Sequence, residues 1–400
     1  MSLEPSRVFF GSIQQGRIAE FASLGAKVNK IVELLDFSTI KTGDKVAIKM
    51  HLGYNSGYQT VPVYFVRQIV KAVKKTGGYP FITDNPTSVY NAVERGYTQE
   101  TCGCPLIPVA GVKDKYTYET KVNFKGVESF DMGGVLHDAD ALIDLSHAKG
   151  HGASGYGGAI KNLALGGYSG PTRWTKIHQI NIQAQRWDPR KCTPEHAEEI
   201  AKSCGYDAIK YDKKKHKLTI EIHECTQCME CLETDKDVGC LEINEESFSL
   251  FQETLAVAAK QVLDRFDKTK TFFLNFILQV TPYCDCLGMA QPVIVPEIGV
   301  VGSRDIVAIE VATLDLIAKA GLIEKSIPAH FKHANLDPSA DLHPFQRVHG
   351  PMKNPYLASE FAERLGMGSR KYDLVEVLSP QETMKVEPPK EKIERQPTFF

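Results

Sequence analysis

The chain has 400 residues, enough for two domains or for one large domain with insertions. A hydrophobic content of 42% supports a sizeable core, and a formal charge of −2 argues against a broad nucleic-acid-binding surface. No apolar run approaches the roughly 18 residues of a membrane span. The N-terminus, MSLEPSRVFF, also lacks the apolar core of a signal peptide, so a cytoplasmic location is the expectation.

The first half alternates short apolar strands with helical patterns. Strands are expected at 7–13, 45–53, 79–85, 104–111 and 140–146, and amphipathic helices at 18–36 and 61–78. This order predicts an α/β fold, a mostly parallel sheet with helices on both faces. The pattern breaks near 205–245, where a charged turn and an alternating strand lead into a run of cysteines. A helix at 246–266, strands at 271–280 and 293–301 and a helix at 304–320 resume it, and a further helix is expected at 354–366. The organisation read from this is an α/β core over 1–212, a ferredoxin-like cysteine-rich insert over 213–245, the rest of the core over 246–325 and a C-terminal appendage over 326–400. The last twenty residues are charged, contain proline and read as a loose tail.

Residues 147–162 read HAKGHGASGYGGAIKN. Gly150, Gly152 and Gly155 spell G-x-G-x-x-G after a strand, but no acidic residue follows until Asp188, so a dinucleotide site is disfavoured. Residues 145–187 instead carry Lys149, Lys161, Arg173, Lys176 and Arg186 and no carboxylate. A strand end, a glycine-rich turn and a helix start near Gly158 would offer free backbone N–H groups to an anion. In the strand at 45–53, Lys49 and His51 share one side. Lys149, His151 and Lys161 are therefore the candidate catalytic cations, with Lys49, His51, His147 and Asn162 as anion-binding partners. His147 and His151 can alternatively ligate a metal, and a plain tight turn is the bland alternative.

Ten cysteines are many for a cytoplasmic chain. Cys225, Cys228 and Cys231 follow C-x2-C-x2-C, with Cys240 nine residues on. Three thiolates at this spacing can wrap one corner of a cuboidal cluster, so one [4Fe–4S] cluster is expected, with zinc as the alternative metal. Cys240 is the economical fourth ligand, and Cys284 or Cys286 the substitute if the module folds back on the core. Cys284, Asp285 and Cys286 form a candidate second metal or redox site. Cys102 and Cys104 lack a neighbouring carboxylate and read as packing residues, while Cys192 and Cys204 stand isolated.

Taken together, KMHLGYNSG (49–57), ALIDLSHAKGHGASGYGGAIKNLALG (141–166), the cysteine module and TPYCDCLGMAQPVIVPEIGVVGSRDIVAIEVATLDLI (281–317) resemble the domain of unknown function 362 family, often described as iron–sulfur-binding. Its lysine, histidine, then Lys-Asn pattern matches Lys149, His151, Lys161 and Asn162, and its C-D-C pattern matches Cys284, Asp285 and Cys286. Asp305 matches its acidic helix start, while Glu310 stands where an aspartate is more usual. The gap before Cys240 is longer than in the common ferredoxin insert. The resemblance implies fold and cofactor but no substrate. The functional expectation is an iron–sulfur protein of redox type that passes single electrons to a small anionic molecule, served by a redox partner protein and touching neither nucleic acid nor membrane. The alternatives are a non-redox enzyme, on a racemase-like analogy, and a binding or assembly factor with structural zinc.

Overall fold

The computed structural model describes residues 4–179, 185–222, 224–244, 246–332 and 334–387. Eight strands form the central sheet: β1 (Ser6–Ser12), β2 (Lys45–Lys49), β3 (Tyr79–Asp84), β4 (Leu106–Pro108), β5 (Ala141–His147), β6 (Thr271–Ile277), β7 (Gly299–Ser303) and β8 (Tyr372–Glu376). Their spatial order is β8-β1-β7-β6-β5-β2-β3-β4. β7 is antiparallel to both its neighbours and every other pair is parallel, so seven strands share one direction. The mostly parallel sheet expected from sequence is present.

The central strands are apolar on both faces because helices cover both. Val46, Ile48, Ile143 and Leu274 pack against α1 (Leu24–Leu35) and α2 (Val63–Lys75). Ala47, Leu142 and Phe273 face α3 (Ala159–Gly166), α5 (Ser247–Leu263) and α6 (Ile306–Ala320). Lys49 shares the Ala47 side of β2, so alternation along the strand carries its ammonium toward α3. The smaller α7 (Leu357–Arg364) packs against α5 and α6.

Several boundaries differ from the sequence expectation, each for a local reason. α1 starts at Leu24 because the Ser23 hydroxyl accepts the Ala26 N–H and caps it there. β7 starts at Gly299, not 293, because its partner strand passes so close that a Cβ at Gly299 would lie 2.0 Å from the Gly11 carbonyl. A hairpin of Thr117–Phe124 and Val127–Gly133 was not anticipated, although Lys125 and Gly126, both left-handed, supply its turn. The C-terminal segment is part of the core layer, since Tyr372–Glu376 pairs in parallel with β1. The start of the expected loose tail is helical over Pro380–Lys385, where Ser379 and Glu382 form a capping box. Residues 388–400 of that tail lie outside the described residues.

The inserted module is larger than 213–245. It runs from the strand Gln185–Trp187, which pairs with Leu241–Ile243, through α4 (Pro194–Ser203) and the hairpin Ile209–Asp212/Lys217–Ile220 to a short helix at Glu230–Asp235. Cys192, Ala197, Ile200, Ile209, Leu218, Cys231, Cys240 and Leu241 make its own small core. Among the described residues, no helix is long and apolar enough to cross a membrane.

One buried acid ties the helices together. Glu310 on α6 accepts the Ile160 N–H at 3.2 Å, and burial pushes its pKa up to about 8. The unfolded chain ionises this group near 4.5, so between about 4.5 and 8 the folded state binds more protons. Stability should therefore fall by as much as about 1.4 kcal/mol per pH unit across that window. Glu310→Gln, which keeps the acceptor oxygen, should flatten the slope, read as the change in urea midpoint between about pH 5.5 and pH 7.5.

Candidate functional site

The carboxyl ends of β2, β3, β5 and β6 lie side by side, and the residues just beyond them converge on a cavity of about 650 Å³. Lys49, His51, Asp84, Lys149, His151, Lys161, Asn162, Cys284 and Cys286 all line it. The Lys-His-Lys-Asn set and the two thiols singled out from sequence are thus brought together. His147 and Asp285 lie immediately behind them.

Asp84 organises one side. Its Oδ1 lies 3.1 Å from Lys49 Nζ and its Oδ2 lies 2.9 Å from His51 Nδ1, while the Leu52 N–H donates to Oδ2 at 3.0 Å. Burial acts to raise the Asp84 pKa, but Lys49 and His51 outweigh it and hold the carboxylate well below its usual range. Burial lowers the Lys49 pKa against the pull of Asp84. For His51 burial also acts downward, but Asp84 wins and the imidazolium is favoured. Asn162 completes the corner. Its Oδ1 accepts from Lys49 Nζ at 2.7 Å, and its Nδ2 donates to Lys49 O at 3.0 Å and Asp144 Oδ1 at 2.5 Å. Burial pushes Asp144 up to about 7.

Asp285 organises the other side. His147 Nδ1 is 3.1 Å from both carboxylate oxygens, and its Nε2 is 2.7 Å from the Leu278 carbonyl. Both ring nitrogens are therefore engaged, and in this arrangement His147 positions Asp285. Lys149 Nζ lies 3.1 Å from Asp285 Oδ2 and donates to His147 O at 2.8 Å. Burial lowers the Lys149 pKa, but Asp285 and Cys284 overcome this and raise it.

Cys284 sits between the two halves. Lys161 Nζ is 3.6 Å from its sulfur, and the Cys286 N–H donates to that sulfur at 3.4 Å. A hydrogen bond from Cys286 and the nearby Lys161 and Lys149 charges hold the Cys284 thiol well below its ordinary pKa, against burial. His51 Nε2 makes no ordinary hydrogen bond among the described residues but faces the same sulfur. His151, Cys284 and Cys286 bring ligand-type atoms within 4.8 Å of one another. However, His151 Nδ1 accepts the Ala153 and Ser154 N–H groups, each at 3.1 Å. These two bonds occupy the Nδ1 lone pair, so a metal at this group would have to displace them or bind through Nε2 after loss of its proton.

Several backbone N–H groups of the glycine-rich turn are already used within the fold, those of Ala153 and Ser154 by His151. Residues Lys149–His151 and Gly155–Gly157 form a short hairpin, and the Ile160 N–H at the start of α3 is already taken by Glu310. Gly150 instead allows close packing, since a Cβ there would lie 2.4 Å from the Pro282 carbonyl. Positive charge at the cavity comes from side chains. Among the described residues Lys161 pairs with no carboxylate, and the buried Nε of Arg173, on the cavity wall, has no hydrogen-bond partner. Asp84 was the residue missed in the sequence. Its only signal was its position at the end of the strand neighbouring that of Lys49.

In the insert, Cys225, Cys228 and Cys231 surround a cavity of about 20 Å³ together with Cys204. Cys204, isolated in sequence, accepts the Ala208 N–H at 3.3 Å. Cys240, the expected fourth member, is elsewhere. Its thiol donates to Asp235 Oδ1 at 3.0 Å, and His196 Nε2 lies 2.9 Å from the same oxygen. These three form a second group of ligand-type atoms within 4.8 Å. Cys102 and Cys104 are buried in the apolar core beside α2. The insert also closes one wall of the large cavity through Ile220, Glu221 and Ile222.

A family model for the domain of unknown function DUF362 matches residues 46–315. The chain belongs to the DUF362 family. That span takes in every residue of the large cavity and the whole cysteine insert. The described residues of this DUF362 chain thus include Cys- and His-bearing groups with metal-ligand chemistry. No curated protein matches it. Among solved structures, the lactate racemase apoprotein from Thermoanaerobacterium thermosaccharolyticum matches with a TM-score of 0.31 at 11% identity over 68% of this chain. The match spans 51% of that protein, about half its length.

Gly166, at the end of α3, packs on the Lys49 side chain, where a Cβ would lie 2.0 Å from Lys49 Cε. Gly166→Ala should push the ammonium off Asp84 and leave a buried carboxylate short of a partner. A loss of about 3–5 kcal/mol is expected in chemical denaturation.

Proposed function

We propose that this chain is an iron–sulfur protein that couples one-electron transfer to the chemistry of a small anionic molecule held in the large cavity. The single observation that carries the reading is the gathering of four thiols, Cys204, Cys225, Cys228 and Cys231, around one small space at the surface of the insert. Sulfur dominates that lining, with Glu230 as its one carboxylate among the described residues and no imidazole, which suits a thiolate-ligated iron cluster. Burial raises the pKa of Cys225 and Cys231, and the neighbouring sulfurs raise both further. Such a group resists ionisation until a cation relieves the repulsion, and bound metal does that. The Ala208 N–H on Cys204 is the kind of hydrogen bond that tunes a metal-bound sulfur.

A [4Fe–4S] cluster would supply single electrons when bound. The residues of this chain do the rest. Lys161 and Arg173 attract the anion. Asp84 orients His51, while Asp285 fixes Lys149 and His147. Ile220, Glu221 and Ile222 of the insert close the cavity wall. The two sites are joined by a short path. Glu224, next to Cys225, accepts the Tyr283 hydroxyl at 2.8 Å, and Tyr283 precedes Cys284. Burial lowers the pKa of the enclosed Lys353 to about 8, with Cys225 opposing, and Lys353 donates to Gly152 O of the glycine-rich hairpin at 2.8 Å. A cytoplasmic redox protein docking at exposed Cys228 completes the proposal.

Protein purified without oxygen should carry about four iron and four sulfide per chain and a brown colour bleached by dithionite. Cys204→Ser should lower iron and sulfide together, whereas Cys240→Ser should leave both intact. A fully metallated anoxic sample containing zinc alone would refute the cluster.

A further inference from the structure

We infer that Cys284 and Cys286 are a redox-active dithiol that closes to a disulfide while reducing a small, negatively charged disulfide in the large cavity. The two residues lie two apart on one tight turn, with sulfurs within 4.8 Å of each other and the Cys286 N–H already directed at Cys284 Sγ at 3.4 Å. His151 Nδ1 is engaged by the Ala153 and Ser154 N–H groups, and the two sulfurs are the nucleophiles of this cluster. A single nucleophile would need no second thiol beside it. The pairing of one buried cysteine with one that reaches solvent divides the labour between an attacking and a resolving sulfur.

The surroundings suit that division. Lys161 stands 3.6 Å from Cys284 and Lys149 lies behind it, while Asp84 holds His51 so that its ring faces the sulfur. These groups stabilise a thiolate, and Lys161 with Arg173 supplies positive charge to the substrate side. Cys284 Sγ attacks one sulfur of the substrate disulfide. A mixed disulfide forms, the substrate S–S bond breaks, and one thiolate leaves with a proton from His51. The Cys286 thiol gives its proton to the now neutral His51 and attacks Cys284 Sγ, forming the Cys284–Cys286 bond and expelling the second substrate thiolate, which takes that proton from His51. The substrate has gained two electrons and two protons, and the dithiol has lost them. Two single electrons and two protons then reopen the bond, and for that supply alone the inference rests on the cluster reading above. The Cys225–Glu224–Tyr283–Cys284 connection is the short link between donor and acceptor.

The test uses the full chain. After diamide treatment, a proteolytic map should show Cys284 bonded to Cys286. In Cys286→Ser, the dianionic reagent dithiobis(nitrobenzoate) should stop at a mixed disulfide on Cys284. The uncharged reagent dithiodipyridine measures the same thiol without the charge contribution. Lys161→Met should slow the dianionic reagent about tenfold relative to the uncharged one. Recovery of Cys284 as a free thiol after diamide, or pairing of Cys284 with another cysteine in the wild-type chain, overturns the inference. So does a Lys161→Met chain that treats both reagents alike. A chain purified without oxygen that contains no iron yet still closes the bond refutes the cluster reading alone. An iron-loaded chain that cannot close it refutes this one alone.

Discussion

The site depends on two carboxylates held ionised inside the protein. Asp84 and Asp285 are each fully enclosed at the end of a strand or the loop that follows one, and each is paired with a lysine and a histidine. Burying a lone carboxylate costs several kcal/mol, so these positions are tenable only because a lysine and a histidine flank each one, with the Leu52 N–H added at Asp84. The cost is met by the pairing, and geometry follows from it. Lys49, His51, His147 and Lys149 cannot turn away without stranding a charge. Buried ion pairs are weak evidence for stability, and here their consequence is orientation. Lys161 is thereby left as a cation facing the cavity without a carboxylate partner among the described residues, and Cys284 sits where the fields of both halves add.

A second constraint comes from the chain's crossings. The loop carrying Cys284 passes over the glycine-rich hairpin at Gly150, where only hydrogen fits beneath the Pro282 carbonyl. His349 Nε2 lies 2.7 Å from that same carbonyl, so the C-terminal segment fixes the loop from its far side. The glycines that spell a nucleotide fingerprint thus serve packing between segments distant in sequence. Their spacing alone could not distinguish a phosphate turn from a crossing point, because both need the missing side chain.

Most of the sheet was legible because parallel strands buried on both faces read as apolar runs, and amphipathic helices keep their period. The edge strand Tyr372–Glu376 was not, since a half-exposed strand with charged residues has little hydrophobic signal. At the site, Lys49, His51, Lys149, Lys161, Asn162 and the two thiols were found by alternation and motif order. Asp84 escaped because a single acid at a strand end is common and its partners lie 33 and 35 positions earlier in the chain. Cys204 escaped for the same reason. It precedes the cysteine run by a whole β-hairpin, and only the folding of Ile209–Asp212 onto Lys217–Ile220 returns the chain to it.

That hairpin also brings the cysteine module to the wall of the cavity. Its second strand ends at Ile220, and the next two residues line the cavity before the chain reaches Cys225. Tyr283 donates its hydroxyl to Glu224 and so ties the chain just before Cys225 to the Cys284 turn. The fold therefore sets a thiol cluster and a polarised thiolate on opposite sides of one short, hydrogen-bonded strip of backbone.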